Sequence, residues 1–192
     1  RFKSGAVDYP NARRINTKPM PSAGGLSIVI AFSIATLVFI PMLTSNAAPI
    51  KSYLSYTLPV VGAGWIIALT GLIDDVKELS AKKKMIGILL AASLVWFLTD
   101  FRLNDFKIPF GGPLLHFEPW LSYLLTVIWI VAITNAVNLI DGLDGLVSGV
   151  SIISLVTMGI VSYFFLPVPN LFLTMTIFVL VAAIAGFFPF NY

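Results

Sequence analysis

The chain contains no cysteine, which excludes disulfides and thiolate metal sites and leaves its redox compartment open. Charge is almost as scarce. Among 192 residues there are 12 Lys and Arg and 9 Asp and Glu, 11% in all. A soluble domain needs far more polar surface than that, because its exterior must be solvated. Histidine occurs once, as His116. There is no internal repeat and no low-complexity segment, and the start of the chain is basic where a signal peptide would be apolar. What fills the sequence instead is apolar: 58% hydrophobic residues and a mean hydropathy of +0.94. These values define an integral membrane protein.

A helix crosses a hydrocarbon core of roughly 30 Å with about 20 residues. By that measure six runs qualify: 24–43, 53–73, 84–100, 120–140, 146–166 and 171–188. Each is expected to be helical, since lipid offers no partner to unpaired backbone groups. The third is the weakest, with only Met85 to Leu98 free of charge, and implies a thinned bilayer or snorkelling lysines. The expected fold is an all-α polytopic membrane protein of about six transmembrane helices, forming a single membrane domain over 1–192.

Orientation follows from the basic residues. Arg1, Lys3, Arg13, Arg14 and Lys18 precede the first span, and Lys77, Lys82, Lys83 and Lys84 lie between the second and third. The other connections hold only Lys51, Arg102 and Lys107, nine against three. The positive-inside rule makes the richer side cytoplasmic. With six spans, Asp74, Asp75, Asp141, Asp144 and the C-terminus then share the cytoplasmic face. On the other face, Phe106, Ile108 and Phe110, then Gly111-Gly112, then Leu115 and Phe117 alternate as in a short β-hairpin at the interface. His116 lies in that hairpin, away from the carboxylates, where a structural role is the simpler reading. Trp120 and Tyr123 fit an aromatic belt.

Two acidic groups carry the candidate chemistry. Asp74-Asp75, at the end of the second run, places two repelling carboxylates together at a membrane edge. A hard dication such as Mg²⁺ relieves that repulsion, held through one or two carboxylates plus substrate phosphates. Two solvated acids balanced by Lys77 and Lys82 are the bland alternative. The second group is Asn135-Ala136-Val137-Asn138-Leu139-Ile140-Asp141-Gly142-Leu143-Asp144-Gly145-Leu146. Its glycines allow a tight turn and close backbone approach to a ligand. Asn135, Asn138 and Asp141 recur every three residues and would line one helix face. Helix–helix glue would explain the amides but not the aspartates that follow.

Taken in order, these motifs resemble the polyprenyl-phosphate N-acetylhexosamine-1-phosphate transferases, the MraY/WecA/TagO group. The matching residues are Gly5-Ala6-Val7-Asp8-Tyr9-Pro10-Asn11-Ala12-Arg13-Arg14, Pro21 through Gly25, Gly71 through Asp75 with Leu79-Ser80-Ala81-Lys82, and Asn135 through Leu146. Asp8, Pro10 and Arg13 look closer to the branch using UDP-N-acetylglucosamine than to the UDP-muramoyl-pentapeptide branch. One departure is Asn16, where many relatives carry a histidine.

The resemblance implies that undecaprenyl phosphate attacks the β-phosphate of a UDP-N-acetylhexosamine and releases UMP. This would be the first membrane step of teichoic acid or surface polysaccharide synthesis. It implies Mg²⁺, with Mn²⁺ as an alternative, and catalytic and metal-binding roles for Asp74 and Asp75. Asn138, Asp141, Gly142, Leu143 and Asp144 would lie at the nucleotide, and Lys82, Lys18, Asp8 and Arg13 are further substrate-binding candidates. The partners implied are the nucleotide sugar, the polyprenyl phosphate and the bilayer, with a homodimer admitted and no nucleic acid. The location implied is a bacterial plasma membrane, multi-pass, with a cytoplasmic active site. Relatives continue into a Met-Gly-Asp-type motif supplying a principal metal ligand and a later histidine-containing loop. The chain, which opens at Arg1, is therefore expected to be an interior piece, inactive alone.

Three other classes fit less well. An intramembrane prenyltransferase of the UbiA type needs a second Asp-x-x-x-Asp group, and Asp141-x-x-Asp144 has the wrong spacing. A CDP-alcohol phosphotransferase needs Ala-Arg after Asp-Gly, where Leu143-Asp144 stands. An ion-coupled transporter holds its carboxylates near the midplane, often in repeated halves.

Overall fold

The computed structural model describes residues 7–8, 20–21, 24–44, 50–141, 145–166 and 170–190. Two short strands, β1 (Val7–Asp8) and β2 (Met20–Pro21), pair antiparallel, with Asp8 opposite Met20, and precede the first helix. That helix has three parts: α1 (Gly24–Ile34), a π-helical turn (Ala35–Phe39) and α2 (Ile40–Thr44). Then follow α3 (Ile50–Lys77), α4 (Ala81–Leu98), the ribbon β3 (Asp105–Lys107) and β4 (Leu114–His116), α5 (Pro119–Ile140), α6 (Leu146–Phe164) and α7 (Leu171–Phe187). A 3₁₀ turn, Phe188–Phe190, ends the described chain.

The protein is an all-α polytopic membrane protein. Among the described residues, five helices are long and apolar enough to cross a bilayer: Gly24–Met42, Tyr53–Lys77, Pro119–Ile140, Leu146–Phe164 and Leu171–Phe190. The run expected over 84–100 forms α4, whose first turn carries Lys82, Lys83 and Lys84 and is too polar to qualify by composition. It nevertheless packs lengthwise between α3 and α5 like its neighbours. The expected boundaries shift at one informative place. The span over 53–73 continues to Lys77, so Asp74 and Asp75 occupy the last turn of α3 and not a loop.

Side-chain pairs fix the packing as antiparallel throughout. Trp65 Nε1 on α3 donates to Ser33 Oγ on α1 at 3.0 Å, and Tyr53 Oη donates to the Thr36 carbonyl at 3.0 Å. Thr36 lies in the π-helical turn, and that bond gives its carbonyl a partner outside the helix. Gly87 of α4 lies so close to Thr70 of α3 that a Cβ would overlap the threonine side chain. Ser93 and Tyr123 join α4 to α5 at 2.9 Å, beside Trp96, which donates to Ser122 at 3.3 Å. Tyr123 is therefore an interhelical contact as well as a belt residue. Thr174 donates to Ser162 at 3.1 Å between α7 and α6, and Phe187 of α7 covers Gly24 of α1.

The helices thus pack in the row α5, α4, α3, α1, α7, α6. Many buried positions are small or hydroxylic, including Gly87, Ala91, Ala92, Ser122, Gly159 and Ser162; a few large residues such as Phe32, Ile40 and Ile177 join them, while many Leu, Ile and Phe side chains face outward. That is what lipid favours, since apolar side chains gain little by leaving it and backbones approach where residues are small.

This row defines two ends. One gathers the start of α1, the α3–α4 corner, the α5–α6 turn and the end of α7. The other carries the α4–α5 connection with its ribbon and the α6–α7 connection.

Candidate active site

The acidic end is built around the α3–α4 corner. Only Glu78, Leu79 and Ser80 separate the two helices, and Glu78 takes a positive φ of 46° to reverse the chain. Asp74 organises this corner. Its backbone carbonyl accepts the Glu78 N–H at 2.8 Å, and its Oδ1 accepts the Leu79 N–H, also at 2.8 Å. Its Oδ2 lies 2.6 Å from Lys84 Nζ. Both carboxylate oxygens are thus held by the chain. Thr70 against Gly87 sets the helix register one turn further in, which carries Lys84 to Asp74. The bland expectation that Lys77 and Lys82 balance the acids is corrected at Asp74, whose cation is Lys84. Side-chain exposures of 46% for Lys84 and 24% for Asp74 keep the pair in contact with water, so it contributes at most about 1 kcal/mol.

Asp75 follows about 100° further round the helix and is exposed. Lys82 and Lys83 are exposed at the start of α4, where positive charge meets the positive end of the helix dipole. An anion would relieve that repulsion.

The second group approaches from α5. Asn135 is half-buried, and its Nδ2 donates to the Val131 carbonyl at 2.8 Å within the same helix. That bond stays within α5, and no bond from Asn135 to another helix is found among the described residues. Asn138 and Asp141 are exposed in the last turn and at the cap of α5, where the Asp141 N–H reaches the Val137 carbonyl at 3.1 Å. Gly145 opens α6 with a positive φ of 71°, a conformation glycine adopts without strain. Gly142, Leu143, Asp144, Lys18 and Arg13 lie outside the described residues, and of Asp8 only the backbone, in β1, is described. Asp74, Asp75, Lys82, Asn138 and Asp141 are therefore brought to one end of the bundle. The sequence did not reveal the pairing of Lys84 with Asp74 or the Thr70–Gly87 contact. The small-residue spacing Gly87-x-x-x-Ala91 is the signal that marks α4 as a close-packing face.

Among the described residues no three His, Asp or Glu side chains cluster as a ready-made metal site. Mg²⁺ does not require one. It keeps several waters and binds through one or two carboxylates together with substrate phosphates, a demand that exposed Asp75 fits.

The fold and this acidic end describe a polytopic membrane protein with phosphate-compatible chemistry at one edge of its bundle. The chain belongs to glycosyl transferase family 4, whose model matches residues 57–192. It is 38% identical over 136 residues to a probable undecaprenyl-phosphate N-acetylglucosaminyl 1-phosphate transferase of Bacillus subtilis, covering 70% of this chain and 34% of that protein. It is 34% identical over 138 residues to the decaprenyl-phosphate N-acetylglucosaminephosphotransferase of Mycolicibacterium smegmatis, covering 70% and 33%. The corresponding enzyme of Mycobacterium leprae is 33% identical over 134 residues, covering 68% and 32%. The chain thus spans about a third of the length of the curated relatives it matches. No solved structure matches it significantly.

Proposed function

We propose that this chain forms part of an enzyme that transfers N-acetylglucosamine 1-phosphate from UDP-N-acetylglucosamine to undecaprenyl or a similar polyprenyl phosphate. A phosphate oxygen of the lipid attacks the β-phosphorus of the nucleotide sugar. The new P–O bond forms as the bond from that phosphorus to the bridging oxygen breaks, and UMP leaves with the bridging oxygen. The product is a polyprenyl diphospho-sugar, the first membrane-bound intermediate of a teichoic acid or other surface polysaccharide.

The observation that carries this reading is the meeting of Asp74-Asp75, the α4 lysines and Asp141 at one end of the bundle. A reaction between a lipid and a water-soluble nucleotide belongs at such an edge. The relatives' names supply the substrate class. The basic residues of the same end support a cytoplasmic position for it, in the plasma membrane of a bacterium as for the relatives.

Asp74 is here a positioning residue, because both its oxygens already hold the α3–α4 corner. Asp75 is the carboxylate that meets the reactants. Together with phosphate oxygens it would hold Mg²⁺, which when bound offsets the charge of the diphosphate. Lys82 faces the phosphates, and Asn138, Asp141, Gly142, Leu143 and Asp144 receive the nucleotide. Lys18, Asp8 and Arg13 are assigned to the same substrate region.

The test is UMP release by the protein, expressed with the sequence that flanks it in its gene and supplied with Mg²⁺ and undecaprenyl phosphate. Release from UDP-N-acetylglucosamine that requires the lipid and is lost in Asp75→Asn and Asp144→Asn is expected. Folded protein that releases no UMP from any UDP-sugar overturns the reading. Asp75 is checked separately by Mn²⁺ binding, read by electron paramagnetic resonance, which Asp75→Asn should weaken without any turnover.

A further inference from the structure

The end of the bundle opposite Asp75 carries the β3–β4 ribbon, and its register gives it two chemically different faces. Asp105 pairs with His116, Phe106 with Leu115 and Lys107 with Leu114. The ladder extends at both ends, where the Phe117 N–H donates to the Asn104 carbonyl at 2.8 Å and the Ile108 N–H to the Pro113 carbonyl at 3.2 Å. Because side chains alternate between faces, Phe106, Ile108, Leu115 and Phe117 share one face. Asp105, Lys107 and His116 share the other with Leu114, and there His116 Nδ1 meets Asp105 Oδ1.

Among the described residues nothing buries the apolar face, of which only Phe117, at its root, is half-buried. Every residue of both strands is exposed, as is Ile108. An isolated two-stranded ribbon is marginal in water without something against its apolar side.

The turn adds a second anomaly. Its central residues, Phe110 and Gly111, have φ of 60° and 86°. Such two-residue turns favour Asn-Gly or Gly-Gly, and a bulky side chain at positive φ is strained. A fully exposed phenylalanine occupies the strained position. The turn expected at Gly111-Gly112 centres one residue earlier, and the strain falls on Phe110.

Depth in the bilayer suggests what covers this face. The ribbon is rooted alongside α5, not above it. Leu103 N–H donates to Thr126 Oγ1 at 3.0 Å, and Ser122 Oγ donates to Asn104 Oδ1 at 2.9 Å. Thr126 is seven residues into α5, about 10 Å below its start at the usual helical rise. The 22 residues of α5 span about 33 Å, hardly more than the hydrocarbon core. The ribbon therefore leaves the helices at the edge of the core, in the layer where exposed Trp120 opens α5.

We propose that the β3–β4 ribbon is a membrane anchor that lies on the bilayer interface. Phe106, Ile108, Leu115 and the strained tip Phe110 enter the lipid, while Asp105, Lys107 and His116 face water. The partner is the lipid surface of the leaflet away from the active site, and nothing in this depends on transfer activity.

The absence of native cysteine makes the test direct. Nitroxide labels are placed singly at Phe106→Cys, Phe110→Cys and Lys107→Cys, in phosphatidylethanolamine and phosphatidylglycerol nanodiscs. The protein carries its natural flanking sequence with any cysteine there replaced by serine. Collision with dissolved oxygen, which concentrates in lipid, is compared with collision with a water-soluble nickel chelate. The oxygen-to-nickel ratio at Phe106 and Phe110 should exceed that at Lys107 severalfold. Double labelling of the cross-strand partners Lys107→Cys and Leu114→Cys shows by dipolar broadening that the labelled ribbon remains paired. A paired ribbon with equal ratios on both faces stands in water and overturns the proposal. So does exclusion of both reagents from Phe106 and Phe110, which would mean that protein, another partner or a second copy, covers the face.

Discussion

The two ends of this bundle solve the problem of leaving a membrane in opposite ways. At the acidic end the α3–α4 connection has three residues, and an ion pair and a side-chain cap hold it in one geometry. At the other end the α4–α5 connection has twenty residues, 99–118, and is secured by aromatic and hydroxyl contacts to the helices. Arg102 there donates from Nε to the Trp96 and Thr99 carbonyls at 2.9 and 3.0 Å and stacks over the Trp96 ring, 4.6 Å from its centroid. It thereby serves the carbonyls left open at the end of α4. Fixed charge thus gathers at one end and exposed aromatics at the other, the contrast on which the proposed reacting surface and the proposed anchor rest.

The contrast breaks most completely if the two ends do not face opposite compartments. In cells, Lys83→Cys should react with an impermeant maleimide only after the membrane is opened, and Lys107→Cys without opening. Labelling of both from outside would remove the cytoplasmic assignment. The next largest effect separates the two neighbouring aspartates. Asp75→Asn should lower kcat for UMP release on the order of 100-fold or more and leave the thermal midpoint in detergent unchanged. An equal loss in Asp74→Asn, with the midpoint also unmoved, would erase the division between them.

Packing at the corner supplies a smaller effect. Gly87→Val must displace Thr70, which should cost roughly 1–3 kcal/mol as overpacking does. Gly62 of α3 has nothing within 4 Å of a built Cβ, so Gly62→Ala should leave the midpoint equal or higher. Lys84→Met should cost no more than about 1 kcal/mol, with Lys84→Arg restoring it. A stability loss larger than that of Gly87→Val would make the ion pair, not the packing, the determinant of the corner. The smallest effect belongs to the hydroxyl contact of α6 and α7. Ser162→Ala should destabilise by about 0.6 kcal/mol, the mean for hydrogen bonds within a membrane.

Most of the fold was legible because hydrophobic runs of bilayer length admit one backbone solution. Helix starts at 24, 119, 146 and 171 fall within a residue of the runs expected there. The hairpin was legible for a similar reason, as strict alternation around a glycine turn has few other readings. Hydropathy misjudged the end of α3, because Asp74 and Asp75 interrupt the apolar run while the helix continues to Lys77. It could not decide which lysine meets Asp74. Lys82, Lys83 and Lys84 are equivalent as charges, and only the helical phase set where Thr70 meets Gly87 selects Lys84. The periodicity of Asn135, Asn138 and Asp141 put them in one series, but it could not show that Asn135 spends its amide on Val131.

The membrane, the helices and the gathering of acidic residues at one end were all written in the residue order, since each follows from burial in lipid and from alternation of direction. What holds Asp74, and that most of the ribbon's apolar face lies exposed among the described residues, came only from the tertiary structure. Both depend on contacts between residues distant in sequence. Their register is set by close packing of small side chains, and no local pattern encodes it.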